Sequence, residues 1–163
     1  MKASLPHFEK AVTLYPEYAV AWYGKGLALE GLKNNAEATA SYNKAIEADG
    51  KYLSPYLRLA TIAAAENQWE RAEQLSATAI RMNPIDFPFA FYVNALSNLQ
   101  LENFPKAEES AKEALKMDPS HHLPRLDYFL ALIMANQRKY EEAASHMKAF
   151  LQLLPERADV KTY

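Results

Sequence analysis

Several groups of residues in this chain have the types and spacing to do chemistry. Ser41-Tyr42-Asn43-Lys44 and Ser145-His146-Met147-Lys148 each set a serine three residues before a lysine. Such a pair can give a serine nucleophile an amine base for acyl transfer. That chemistry also draws on Ser-Asp-Asn and Lys-Thr-Gly segments, and the chain has neither. Both pairs fall in helical patterns, at positions expected to face solvent. His121-His122 lies near Asp118 and supplies half of a metal site, but no cysteine and no Glu-x-x-His accompanies it. Gly24-x-Gly26 with Gly31 imitates a phosphate loop, yet it falls inside a helical pattern instead of following a strand. His7 and His146 read as single helix-face residues without partners. Glu108-Glu109 and Glu141-Glu142 read as solvated charges at helix starts, where carboxylates complement the helix dipole. These residues predict no catalytic centre, no metal and no cofactor, and the expectation is a chain that is not itself an enzyme.

The elements that carry these residues recur. Ala38, Ala72, Ala107 and Ala143 are separated by 34, 35 and 36 residues. Asn35, Trp69, Phe104 and Tyr140 follow the same steps, as do Ala45, Ala79, Ala114 and Phe150, and then Gly50, Pro84, Pro119 and Pro155. Columns of different chemistry sharing one set of steps define a structural unit, not low complexity. Each unit holds two helical stripes. Trp22, Gly26 and Leu29 lie at i, i+4 and i+7, and after a polar break at Lys33-Asn34-Asn35 a second stripe runs through Ala38, Tyr42, Ala45 and Ile46. Glycine at Asp49-Gly50 is expected to take the left-handed conformation that ends a helix. Proline closes the later units at Asn83-Pro84, Asp118-Pro119 and Leu154-Pro155. Small residues at Gly26, Ala60, Ala95 and Ala131 are expected where the first helix touches its partner.

This pattern resembles the tetratricopeptide repeat. Ala21-Trp22-Tyr23-Gly24-Lys25-Gly26, then Ala38, Tyr42, Ala45 and Gly50, follow the family's order of Trp, Leu-Gly and Tyr, then Ala, Phe, Ala and Pro. Trp69, Ala72, Ala79 and Pro84 mark the next unit, and Phe91, Ala95, Phe104, Ala107, Ala114 and Pro119 the one after. The last unit departs from it, with Asp127 in the place of a bulky aromatic and Phe150 in the place of a small residue. The resemblance implies an all-α superhelix of antiparallel helix pairs, about four and a half repeats long. The expected organisation is one domain over residues 1–163: a half repeat at 1–18, repeats at 19–52, 53–86, 88–121 and 124–157, and a tail at 158–163. The half repeat matches a second helix only. Its missing partner leaves Phe8 and Val12 short of cover, and Met147, Leu151 and Leu154 are left so at the other end. The expectation is a piece of a longer protein, or self-association through open repeat ends.

Composition narrows the function. The chain has 163 residues, half of them hydrophobic, with a net charge of −2 and no cysteine. It therefore lacks the charge excess that favours nucleic acid or anionic membranes, and no apolar run reaches the length of a membrane span. Compartment is left open.

Residues outside the packing stripe form a second stripe in each first helix: Val20, Tyr23, Leu27, Glu30; Ser54, Leu57, Thr61, Ala64; Phe89, Tyr92, Leu96, Leu99; and Arg125, Tyr128, Leu132, Ala135. In tetratricopeptide arrays this stripe faces a concave groove that receives partner segments. The implied groove residues are Tyr23, Leu27, Leu57, Arg58, Phe89, Tyr92, Leu96, Arg125, Tyr128 and Leu132. Their chemistry suits an apolar or aromatic polypeptide segment, with Arg58 and Arg125 fixing its register. The lysines and asparagines of the family's carboxylate clamp are absent, since those positions read Tyr23, Leu27, Arg58, Phe89 and Val93. The resemblance thus implies a protein-interaction scaffold. The alternative is a recruiting module of a larger enzyme whose catalytic domain lies outside this chain.

Overall fold

The computed structural model describes residues 4–153 other than 86, 121 and 124. His121, Leu154, Pro155 and the tail lie outside the described residues. Among those described, every regular element is an α-helix. In order they are α1 (Leu5–Leu14), α2 (Ala19–Gly31), α3 (Asn35–Ala48), α4 (Leu53–Ala65), α5 (Trp69–Met82), α6 (Pro88–Gln100), α7 (Phe104–Met117), α8 (Arg125–Asn136) and α9 (Tyr140–Leu153). The all-α helical-repeat fold is thus the one observed. The residues form two compact units, α1–α5 and α6–α9, divided between Pro84 and Ile85. In the first unit each helix packs on the next. In the second, α6 packs on α7, α7 on α8 and α8 on α9, and α6 also touches α8.

The small-residue columns make close helix approach possible. Ala38, Ala72 and Ala107 are fully buried and Ala143 nearly so; Gly26, Ala60, Ala95 and Ala131 are also buried. Size is matched across each pair. A methyl group at Gly26 would overlap the ring of Tyr42, which has no exposure. At the register of Tyr42 the next two units carry Ser76 and Ala111, and there the Gly26 position can be alanine. A methyl at Gly24 would overlap the ring of Phe8. Phe8 is therefore half-covered and Val12 is buried, contrary to the expectation that both lack cover. The apolar side chains left in solvent near that end are Leu14, Tyr15, Tyr18 and Val20, with Leu151 at the other.

The turn inside each repeat reverses the chain through one left-handed residue. Lys33, Asn67, Glu102 and Arg138 have φ of 62°, 58°, 57° and 61°, while no glycine has positive φ. Asn34, Gln68, Asn103 and Lys139 then donate their backbone N–H to Leu29, Ala63, Asn98 and Met134 at 2.8–3.0 Å. This six-residue closure is the Schellman arrangement, which satisfies helix-end carbonyls. The left-handed residue is therefore within the repeat, not at Gly50 as expected. Gly50 follows α3, whose C-cap Asp49 is extended.

The aromatic column carries a second device. Trp22 Nε1 donates to the Pro16 carbonyl at 2.7 Å, and Tyr56 Oη donates to the Gly50 carbonyl at 3.1 Å. Both bonds reach back six residues to the loop before the helix. Asp127 continues this column. It is buried, and its Oδ1 lies 2.9 Å from His146 Nδ1. His146 thus has a partner that its sequence context did not reveal.

Candidate functional site

The candidate residues of α2 and α4 are drawn into packing and ion pairing. Tyr23 and Leu27 pack on a core of Leu29, Ala38, Tyr42 and Leu59. The Tyr23 ring lies 5.7 Å from Tyr42 and 5.3 Å, edge-on, from Tyr52. Leu57 is half-buried. Arg58 Nη2 sits 3.0 Å from Glu30 Oε1, and Tyr42 Oη donates to Glu30 Oε2 at 2.6 Å. One carboxylate on α2 therefore holds α3 and α4 together. Burial, then the Glu30 contact, pushes the Tyr42 phenol well above the ordinary tyrosine range. Burial works against the Arg58 charge, but Tyr42 and Glu30 outweigh it and raise its pKa. Arg58 is committed to the fold, and what it can offer a ligand is reduced accordingly.

The candidates of α6 and α8 are presented differently. Phe89 stacks on Tyr92 at 5.7 Å and 15°, and Tyr92 lies 5.3 Å from Phe129 of α8. Tyr128 lies 6.3 Å from Phe129 and 5.4 Å from Phe150 of α9. Five rings thus run without a break from α6 to α9. Two cavities open along them. One, of 260 Å³, is lined by Phe89, Tyr92, His122, Leu123 and Arg125. The other, of 510 Å³, is lined by Leu96, Leu99, Gln100, Arg125, Tyr128, Phe129, Leu132 and Phe150. Phe89, Tyr128 and Leu132 are each more than a third exposed. All six candidates from these two helices line one cavity or the other, and Arg125 lines both.

Sequence reasoning missed Phe129, Phe150, His122 and Leu123 as cavity walls. Phe150 carried a signal: it is bulky where Ala45, Ala79 and Ala114 are small. A further hollow of 600 Å³, lined by Leu14, Tyr15, Pro16, Glu17 and Tyr18, lies at the α1–α2 turn and was also missed.

Several of the chemistry-bearing groups are occupied elsewhere. Ser41 is buried, not solvent-facing as expected, and donates to the Glu37 carbonyl at 2.9 Å. Lys44 pairs instead with Glu47 at 2.6 Å, so no serine–lysine pair forms there. The Asp118 carboxylate accepts from the N–H groups of His122 and Leu123 at 2.9 and 2.7 Å and lies 3.0 Å from His122 Nδ1. Burial opposes its charge, but these three contacts outweigh burial and lower its pKa. Among the described residues no three His, Asp or Glu groups come together to hold a metal. No helix among them is long and apolar enough to cross a membrane.

Known proteins with this arrangement are helical-repeat proteins. The tetratricopeptide-repeat profile matches residues 2–52, 57–121 and 92–158, and the chain belongs to that family. Among curated proteins it is 27% identical over 125 residues to Superkiller protein 3 of Schizosaccharomyces pombe. That stretch is 73% of this chain and 9% of the relative, so the chain spans only a small part of that protein. Among solved structures, MamA of Desulfovibrio magneticus RS-1 superposes with a TM-score of 0.81 at 17% identity, covering 96% of this chain and 86% of the other. YrrB, described as a tetratricopeptide-repeat protein with an unusual peptide-binding site, gives 0.81 at 21% identity, covering 93% and 77%. The Cut9–Hcn1 hetero-tetramer gives 0.70 at 21% identity, covering 91% of this chain and 28% of the other. These likenesses show a shared fold. Membership of this family of generally non-catalytic repeats supports a protein–protein interaction scaffold.

Proposed function

We propose that this chain is an interaction module that holds a segment of another polypeptide against the aromatic face of α6 and α8. The observation that supports it is the 510 Å³ cavity with Tyr128 and Leu132 exposed on its wall. Half-exposed rings around a hollow offer large apolar contact area at low ordering cost, as binding surfaces do. Tyr92 is the poorer probe of this reading, because its ring is held between Phe89 and Phe129 and truncation would disturb the fold. Tyr128 and Leu132 are the better probes.

The test compares proteins captured from cell extract by the wild-type chain and by Tyr128→Ala/Leu132→Ala, read by quantitative mass spectrometry. The variant should keep its helical circular dichroism. The specific captured set should fall roughly tenfold or more, the consequence of losing about 1–3 kcal/mol at a central contact. A captured set unchanged by the double substitution would remove the face from consideration.

A further inference from the structure

The geometry points to a ligand of defined chemistry for this face: a peptide segment that sets one carboxylate between two bulky apolar side chains. The inference rests on the reading that α6 and α8 form a docking face, and it names what that face selects. The two cavities have apolar and aromatic walls and meet at Arg125. Arg125 is exposed and has no acidic partner among the described residues. Several other cations are paired with acids: Lys44 with Glu47, Arg58 with Glu30, Lys112 with Glu108 and Lys116 with Glu113. The acids near Arg125 in sequence are also engaged. Asp118 holds His122 and the Leu123 N–H, and buried Asp127 holds His146. The face therefore presents an unbalanced guanidinium with a hollow on either side.

A guanidinium takes a carboxylate through a fixed fork of donors, which gives orientation as well as attraction. Apolar walls on both sides exclude water and strengthen that contact. A wholly apolar segment would fill the hollows but leave Arg125 partly desolvated without a partner. A basic segment would meet its charge directly. Nucleic acid is the weaker fit, because one cation matches a single phosphate and the aliphatic Leu96 and Leu132 give its backbone nothing to hold.

The experiment pans a phage-displayed random peptide library against the full chain, with fluorescein-labelled oligothymidylate tested in parallel by anisotropy. Enriched peptides should carry Asp or Glu between two residues drawn from Leu, Ile, Phe, Tyr and Trp. Resynthesised, such a peptide should bind about tenfold or more weakly when its acid becomes the amide, and likewise to the Arg125→Glu chain. A peptide with lysine in place of that acid should regain affinity for Arg125→Glu. Circular dichroism checks that the exposed substitution leaves the helices intact. Enriched peptides without an acid, weakened by Tyr128→Ala/Leu132→Ala but not by Arg125→Glu, would overturn this inference while leaving the docking face standing. Absence of enrichment, or binding indifferent to every substitution on the face, would overturn both. Tight binding of oligothymidylate that is lost in Arg125→Glu would overturn the peptide assignment.

Discussion

Asp127 sits where three earlier repeats carry Trp22, Tyr56 and Phe91. A buried carboxylate in an aromatic column is costly unless it is hydrogen-bonded, and His146, one helix later, meets it at 2.9 Å. The pair is co-specified: at the registers of 127 and 146 the second repeat holds Tyr56 and Leu75. Removing one partner of a buried polar pair costs more than replacing both by apolar groups. His146→Ala should therefore destabilise the chain by about 1–3 kcal/mol. Asp127→Tyr/His146→Leu, which reproduces the Tyr56 and Leu75 combination, should recover much of that loss. Urea denaturation of the three proteins decides it; equal midpoints for His146→Ala and wild type would mean the pair carries no stability. The departure at Asp127 was plain in the sequence. Its compensation was not, because His146 lies 19 residues away and only the packing of α8 on α9 joins them. The pairing of Arg58 with Glu30 was hidden for the same reason, since it spans 28 residues and joins side chains of α2 and α4.

At the scale of the element, most of the fold was legible. The periodicity of buried alanines located each helix pair, and Asn35, Trp69, Phe104 and Tyr140 proved to be the first residues of α3, α5, α7 and α9. The internal turn was not legible, because its left-handed positions hold Lys33, Asn67, Glu102 and Arg138 instead of glycine. A left-handed backbone costs a residue with a full side chain roughly 1–2 kcal/mol, and asparagine bears it more easily. The repeat tolerates that cost because each turn closes through its backbone bond to the helix end. Glycine removes the steric cost but adds freedom to the unfolded chain. Glu102→Gly should therefore raise stability by about 0.5–1 kcal/mol net. Asn67→Gly should change it much less. Thermal melts of both variants at one protein concentration test the contrast. A loss of stability in Glu102→Gly would show that its side chain supports the turn by some contact greater than the strain.

Across the whole molecule, stability is assembled from neighbours. The residues divide into α1–α5 and α6–α9, and within each unit a helix packs chiefly on the next one in the chain. Arrays of this kind behave as a sum of repeat terms and nearest-neighbour interfaces, so damage in one repeat need not spread. Gly26 is the place to apply it, since an added methyl meets the buried Tyr42 ring and both lie at the α2–α3 contact. Overpacking of that sort costs about 1–3 kcal/mol. In Gly26→Ala, hydrogen–deuterium exchange should accelerate in α2 and α3, to the extent set by that loss, and should be nearly unchanged in α8 and α9. Glu30 of α2 contacts both Tyr42 of α3 and Arg58 of α4, so α4 should show an intermediate effect through its tie to Glu30. Uniform acceleration over all the helices would instead mean that the chain opens as one cooperative body. A graded outcome matters for binding: the aromatic face of α6 and α8 would then keep its shape while a repeat of the first unit breathes. Peptide affinity of Gly26→Ala, measured beside its exchange profile, should match that of the wild type.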